Sequence, residues 1–168
     1  MKENQEKKQP ITERIKTMED VIRELGEENH LVKEYQYWRN APEELREEYT
    51  GVFLQLKMLC EVLNEGDFPL THSDFVYWPW IDLYRDKKDI PGYYDKDRIF
   101  GIPKSISGVL FGGDAHNGAD CGFAYANTSS APSYTIATIG SRLCFKNRDL
   151  ALYAVKQFSE LWIKFYFM

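Results

Sequence analysis

The chain has 168 residues, a net charge of −5 and an aromatic share of 15%. That length suits one domain whose core buries on the order of two-thirds of the unfolded surface. The acidic balance, with no dense basic cluster beyond Lys7-Lys8 and Lys87-Lys88, argues against a nucleic-acid binder, and no apolar run is long enough to span a membrane.

Residues 1–10 are polar and charged, which predicts a flexible tail, no signal peptide and synthesis in the cytoplasm. Residues 11–66 read as a helical part. Ile11, Ile15, Met18, Ile22 and Leu25 recur at helical spacing, and Thr17 with Asp20 forms a capping start that would begin the regular helix at Met18. Gly26 ends that helix. Leu31, Tyr35 and Trp38 continue the apolar stripe in a second, short helix. Asn40-Ala41-Pro42 then opens a long helix, with Pro42 in its first turn and Leu45, Tyr49, Val52, Phe53, Leu56, Leu59, Cys60 and Leu63 on its buried face. Gly66 closes it. Cys60 reads as a small buried hydrophobe.

Residues 67–168 change character. Phe75 to Tyr84 has strand composition, and Pro79 within it requires an edge or a bulge. Trp78 and Trp80 fit core packing better than a sugar platform. Arg85 to Lys104 is a polar connection marked by Pro91-Gly92 and Ile102-Pro103. From Gly108 to Phe145 four short strands follow: Val109–Phe111, Phe123–Ala126, Tyr134–Ile139 and Arg142–Phe145. A turn-rich connection, Asn127 to Ser133, joins the middle two. Finally Asn147 is a good N-cap for a closing helix with Leu150, Ala154, Phe158, Leu161, Trp162 and Phe165 on one face. The fold class expected is α+β, with N-terminal helices, a small antiparallel loop-rich sheet and a C-terminal helix, residues 11–168 forming one domain.

The frame GG-x3-NG-x3-G-x4-N-x5-S-x5-IG-x-R, from Gly112 to Arg142, resembles the variable region of target proteins of diversity-generating retroelements. Those proteins have a C-type-lectin-like fold and a template rich in Asn at set positions. At those positions this chain carries Asp114, His116, Asp120, Ser129, Ser130, Tyr134, Ile136 and Thr138. An Asn codon altered at its adenines reaches Asp, His, Ser, Tyr, Ile and Thr, and never Lys, Glu, Gln, Met or Trp. The chain departs from better-known members by continuing past Arg142 into a helix. That ending resembles uncharacterised small proteins of gut Bacteroidales, their phages and mobile elements. The resemblance implies a ligand-binding protein with a diversified surface. Its partner would be a protein or glycan on a cell surface. Incorporation into a phage particle, and oligomeric or virion contacts through the helices, are also implied. The alternative is a structural assembly protein of a phage or mobile element with no diversified site.

No catalyst is expected. His72-Ser73-Asp74 resembles pieces of a triad, but adjacency in sequence is not triad geometry. Asp114, His116 and Asp120 are metal-compatible side chains without a metal-site spacing, so neither metal nor cofactor is expected. Formylglycine-generating enzymes, which share the C-type-lectin-like fold, need active cysteines. Here only Cys121 and Cys144 are candidates, in separate segments of the predicted sheet that could approach each other across it.

Overall fold

The computed structural model describes residues 9–67, 75–84, 86–102, 123–132 and 143–167. Their architecture is α+β, as predicted. Helices α1 (Ile11–Arg14), α2 (Met18–Leu25), α3 (His30–Asn40) and α4 (Glu48–Leu63) come first. Strands β1 (Phe75–Tyr84), β2 (Ile99–Gly101) and β3 (Phe123–Pro132) follow, and helices α5 (Arg148–Gln157) and α6 (Ser159–Phe167) close the chain. The predicted tail lies outside the described residues up to position 8, as do the predicted strands Val109–Phe111 and Tyr134–Ile139.

Local chemistry sets the helix ends. Thr17 caps α2 by accepting from the Asp20 N–H, and Asp20 returns a bond to the Thr17 N–H. The Lys16 N–H, which also bonds the Asp20 carboxylate, holds that group below its usual pKa. Gly26 ends α2 at φ 81°, a conformation that costs glycine nothing. Asn147 caps α5 by accepting from the Leu150 N–H at 2.9 Å. Two boundaries differ from expectation. Pro42 leads only a single 3₁₀ turn, Glu43–Leu45, and α4 begins at Glu48. Leu45 and Tyr49 are therefore 71% and 49% exposed instead of buried. The closing helix also divides at Phe158, which leaves helical geometry at φ −118°, ψ 38°.

Gly51 marks where α3 meets α4. The Trp38 ring lies so close that a Cβ on Gly51 would stand 2.3 Å from its Cη2 and Cζ2 atoms. Trp38 is held there by its Nε1–H bond to the Glu47 carbonyl at 3.0 Å and by stacking on Tyr35. Gly51→Ala should destabilise the protein by about 1–3 kcal/mol through this overpacking, although alanine is the better helix former. In a Trp38→Ala background the same change should stabilise by roughly 1 kcal/mol. A double-mutant cycle by urea denaturation checks the reversal of sign.

The sheet order is β1-β3-β2, all antiparallel. Pro79 is tolerated for a reason of parity. Tyr77 exchanges both backbone hydrogen bonds with Phe145, on the side of β1 away from β3. Pro79, two residues on, points the same way, so its missing N–H removes no β1–β3 bond. Its outward carbonyl accepts from the Tyr166 hydroxyl of α6. Strand β3 corrects the turn predicted over Asn127 to Ser133: pairing with β1 carries extended chain through to Pro132. The long connection after β1 is likewise more structured than expected, holding 3₁₀ turns at Lys87–Asp89 and Lys96–Arg98 and then β2. Of the predicted strand Arg142–Phe145, the described part makes a single bridge, Phe145 to Tyr77.

One hydrophobic core joins the helical part to the sheet. It contains Ile15, Val32, Leu59 and Leu63 from the N-terminal half, Ile81, Ala124 and Ala126 from the sheet, and Ala154 and Trp162 from the C-terminal helices. Polar ties run the same way. Gln157 of α5 donates to the Lys16 carbonyl at 2.8 Å, Tyr153 donates to the Ile15 carbonyl, and Lys164 of α6 pairs with Glu48 of α4 at 2.8 Å. Asn64, fully buried at the end of α4, donates to the Cys144 carbonyl at 2.8 Å and accepts from the Lys146 N–H at 2.9 Å. No described helix is long and apolar enough to cross a membrane.

Candidate functional site

Side chains alternate along a strand, so the register divides the sheet into two faces. Tyr77, Ile81, Leu83, Phe100, Ala124 and Ala126 share the first face and pack with the core. Trp78, Trp80, Asp82 and Tyr84 of β1 share the second with Phe123, Tyr125, Asn127 and Ser129 of β3. Trp78 and Trp80, expected in the core, are half-buried on this second face instead.

An aromatic cluster occupies the β2 end of the second face. Tyr94, from the connection after β1, stacks on Tyr125 with ring centroids 3.9 Å apart. Tyr84 meets Tyr94 edge-on at 6.2 Å, and Tyr93, 85% exposed, meets it edge-on at 5.1 Å. The Tyr84 hydroxyl donates to the Tyr94 oxygen at 3.4 Å, and the Tyr94 hydroxyl donates to Asp82 at 3.3 Å. The bond from Tyr84, with desolvation and the Asp82 charge, pushes the Tyr94 phenol well above its usual pKa. Tyr94 therefore stays a neutral donor across the physiological range. Sequence reasoning missed this cluster. Its one local signal was the pair Tyr93-Tyr94 following Pro91-Gly92 in an otherwise charged connection.

Of the eight predicted site residues, Ser129 and Ser130 fall within described structure. They are consecutive in β3, so they point to opposite faces. Ser129 is half-buried on the second face opposite Trp78, and Ser130 is exposed on the first face opposite Tyr77. Asp114, His116, Asp120, Tyr134, Ile136 and Thr138 lie outside the described residues, as do His72-Ser73-Asp74 and Cys121. The strand that joins the two outlying groups is described. Gly101 pairs with Phe123, so the connection carrying Asp114, His116 and Asp120 starts and ends beside itself. The connection carrying Tyr134, Ile136 and Thr138 leaves from Pro132, opposite Phe75, and returns to Phe145, opposite Tyr77. These two anchor points are the ends of β3, about 30 Å apart for ten extended residues.

Cys144 is buried, and burial pushes its thiol up to about 11. Cys60 is buried as predicted, and desolvation, aided by the charge of Cys144, raises its thiol too. Both are thiols, not thiolates, at neutral pH, and so are poor nucleophiles. Among the described residues no cluster of His, Cys, Asp and Glu could hold a metal ion.

The described structure thus defines an α+β domain with a core-packed sheet face and an aromatic second face. No protein-family model, no curated protein and no solved structure matches the chain.

Proposed function

We propose that this is a ligand-binding protein displaying a diversified surface, of the kind the variable proteins of diversity-generating retroelements carry. The observation that carries the reading is the spaced Gly, Asn and Ser frame from Gly112 to Arg142, with adenine-accessible residue types at all eight intervening positions. Strand β3 carries Ser129 and Ser130, and from its two ends lead the connections holding the other six positions. A target that contacts both groups would span a footprint of protein–protein size, which suits a protein or glycan array on a cell surface. Large, rigid Tyr and Trp rings on the second face suit such recognition because they bury area at low entropic cost. The protein would be made in the cytoplasm and built into a phage particle.

Deep sequencing of the locus across a population tests this. The expected result is variation confined to codons 114, 116, 120, 129, 130, 134, 136 and 138 within a constant frame. A uniform locus, or changes scattered through the helices, overturns it. Tyr134→Ala is expected to leave the folded state intact and to weaken binding to the cell-surface target by about 2 kcal/mol, the cost of losing an aromatic anchor. Far-UV circular dichroism with a cell-binding titration checks both halves, and loss of folding would make Tyr134 a core residue.

A second reading, an assembly protein of a phage or mobile element, is favoured by the exposed Tyr37, Leu45 and Tyr49 on the helical part. It predicts that binding to particles survives Tyr134→Ala and is lost when those three are replaced.

A further inference from the structure

A cleft of about 400 Å³ lies between the connection after β1 and the β2–β3 end of the sheet. Its walls are largely apolar, from Ile90, Ile99 and Phe123, with Tyr94 among them. Among the described residues its charged lining is Lys87 and Lys96. That volume and that mixture, an apolar cavity with a few convergent polar groups, are typical of small-molecule sites.

The charge arrangement is selective. The connection from Asp86 to Gly101 carries four cations, Lys87, Lys88, Lys96 and Arg98. Lys88 pairs with Asp86 at 3.7 Å and Arg98 with Asp95 at 3.4 Å. Among the described residues Lys87 and Lys96 have no acid partner, and they are the two that line the cleft. Among the described residues no carboxylate lines it. Their alkyl stems can extend an apolar wall while the ammonium groups remain at the rim. Tyr94 is fixed before any ligand arrives, by stacking on Tyr125 and by its bonds with Tyr84 and Asp82. A wall held in place in this way adds no ordering cost on binding.

We propose that this cleft binds a small aromatic carboxylate, with the ring against Ile90, Ile99 and Phe123 and the carboxylate between Lys87 and Lys96. The proposal rests on the described lining residues and not on the variation of any position.

Titration calorimetry of the full chain with naphthoate, and with the neutral naphthylmethanol, tests the assignment. Naphthoate should bind saturably with one site per chain, and more tightly than naphthylmethanol. The double substitution Lys87→Ala, Lys96→Ala should weaken naphthoate about fivefold, as expected for two exposed charge pairs, and leave naphthylmethanol unchanged. Both lysines are exposed, so the variant should fold normally. Ile99→Ser should weaken both compounds, as loss of the apolar wall requires. Absence of saturable binding, equal affinity for the two compounds, or naphthoate affinity unmoved by the double substitution would each overturn the proposal.

Discussion

Trp162→Ala should lower stability by about 3–5 kcal/mol, the range for emptying a large aromatic site in a packed core. Trp162 is fully buried and contacts Phe145, Phe165 and Tyr166 by ring packing. It thereby joins α6 to the segment that bridges to β1, and Phe145 in turn holds Tyr77 through a pair of backbone bonds. Collapse around the vacancy is limited because its neighbours are anchored. Tyr166 is held at the Pro79 carbonyl, and Phe165 lies between Trp162 and the Tyr49–Phe53 stack. Trp162→Phe should cost far less, about 1–2 kcal/mol. It keeps most of the ring volume and removes an indole N–H that is buried without an acceptor. Thermal unfolding checks the contrast. For a chain of this size the alanine variant should melt roughly 10 °C or more below the parent and the phenylalanine variant only a few degrees below.

Asn64→Ala should cost about 2–4 kcal/mol, because one buried and one half-buried backbone group lose their partners together. The Cys144 carbonyl loses its donor, and the Lys146 N–H loses its acceptor. Water cannot readily replace the amide, since Asn64 is 0% exposed and Cys144 only 1%. The Lys146 side chain is a useful contrast. Its ammonium bonds the Asn64 carbonyl at 3.1 Å and lies 3.6 Å from Glu65 and 3.9 Å from Asp67, all near the surface. Lys146→Ala should therefore cost under about 1 kcal/mol. Urea denaturation separates the cases by midpoint at constant slope. Comparable losses for the two variants would show that the buried amide bonds are not the tie between α4 and the segment before α5.

Much of the helical layer was legible from short-range chemistry. The Thr17–Asp20 capping box, the Gly26 stop, the Asn147 cap and the apolar spacing through Leu59 and Leu63 all act within a few residues. The errors came where two local signals competed. Pro42 with two following acids looks like a helix start, yet the chain makes one 3₁₀ turn there and α4 starts at Glu48, where the Trp38 indole N–H donates to the Glu47 carbonyl. Asn127 to Ser133 has turn composition. Ten successive pairs with β1 nevertheless carry β3 through to Pro132, because ladder bonds and cross-strand packing outweigh weak turn preferences.

The candidate surface was legible only as a pattern. The glycine-bounded frame, the residue types at its eight positions, the predicted helix caps and the α+β order of elements could be read without the fold. All of these follow from spacing along one chain. Tertiary structure decided which face each side chain takes, and so placed Ser129 and Ser130 on opposite sides of β3. It also moved Trp78 and Trp80 out of the core, gathered Tyr84, Tyr94 and Tyr125 into one cluster, and satisfied Asn64 from Cys144 and Lys146. Those contacts join residues far apart in the chain. Their energy depends on strand register and on burial against partners that no local rule names.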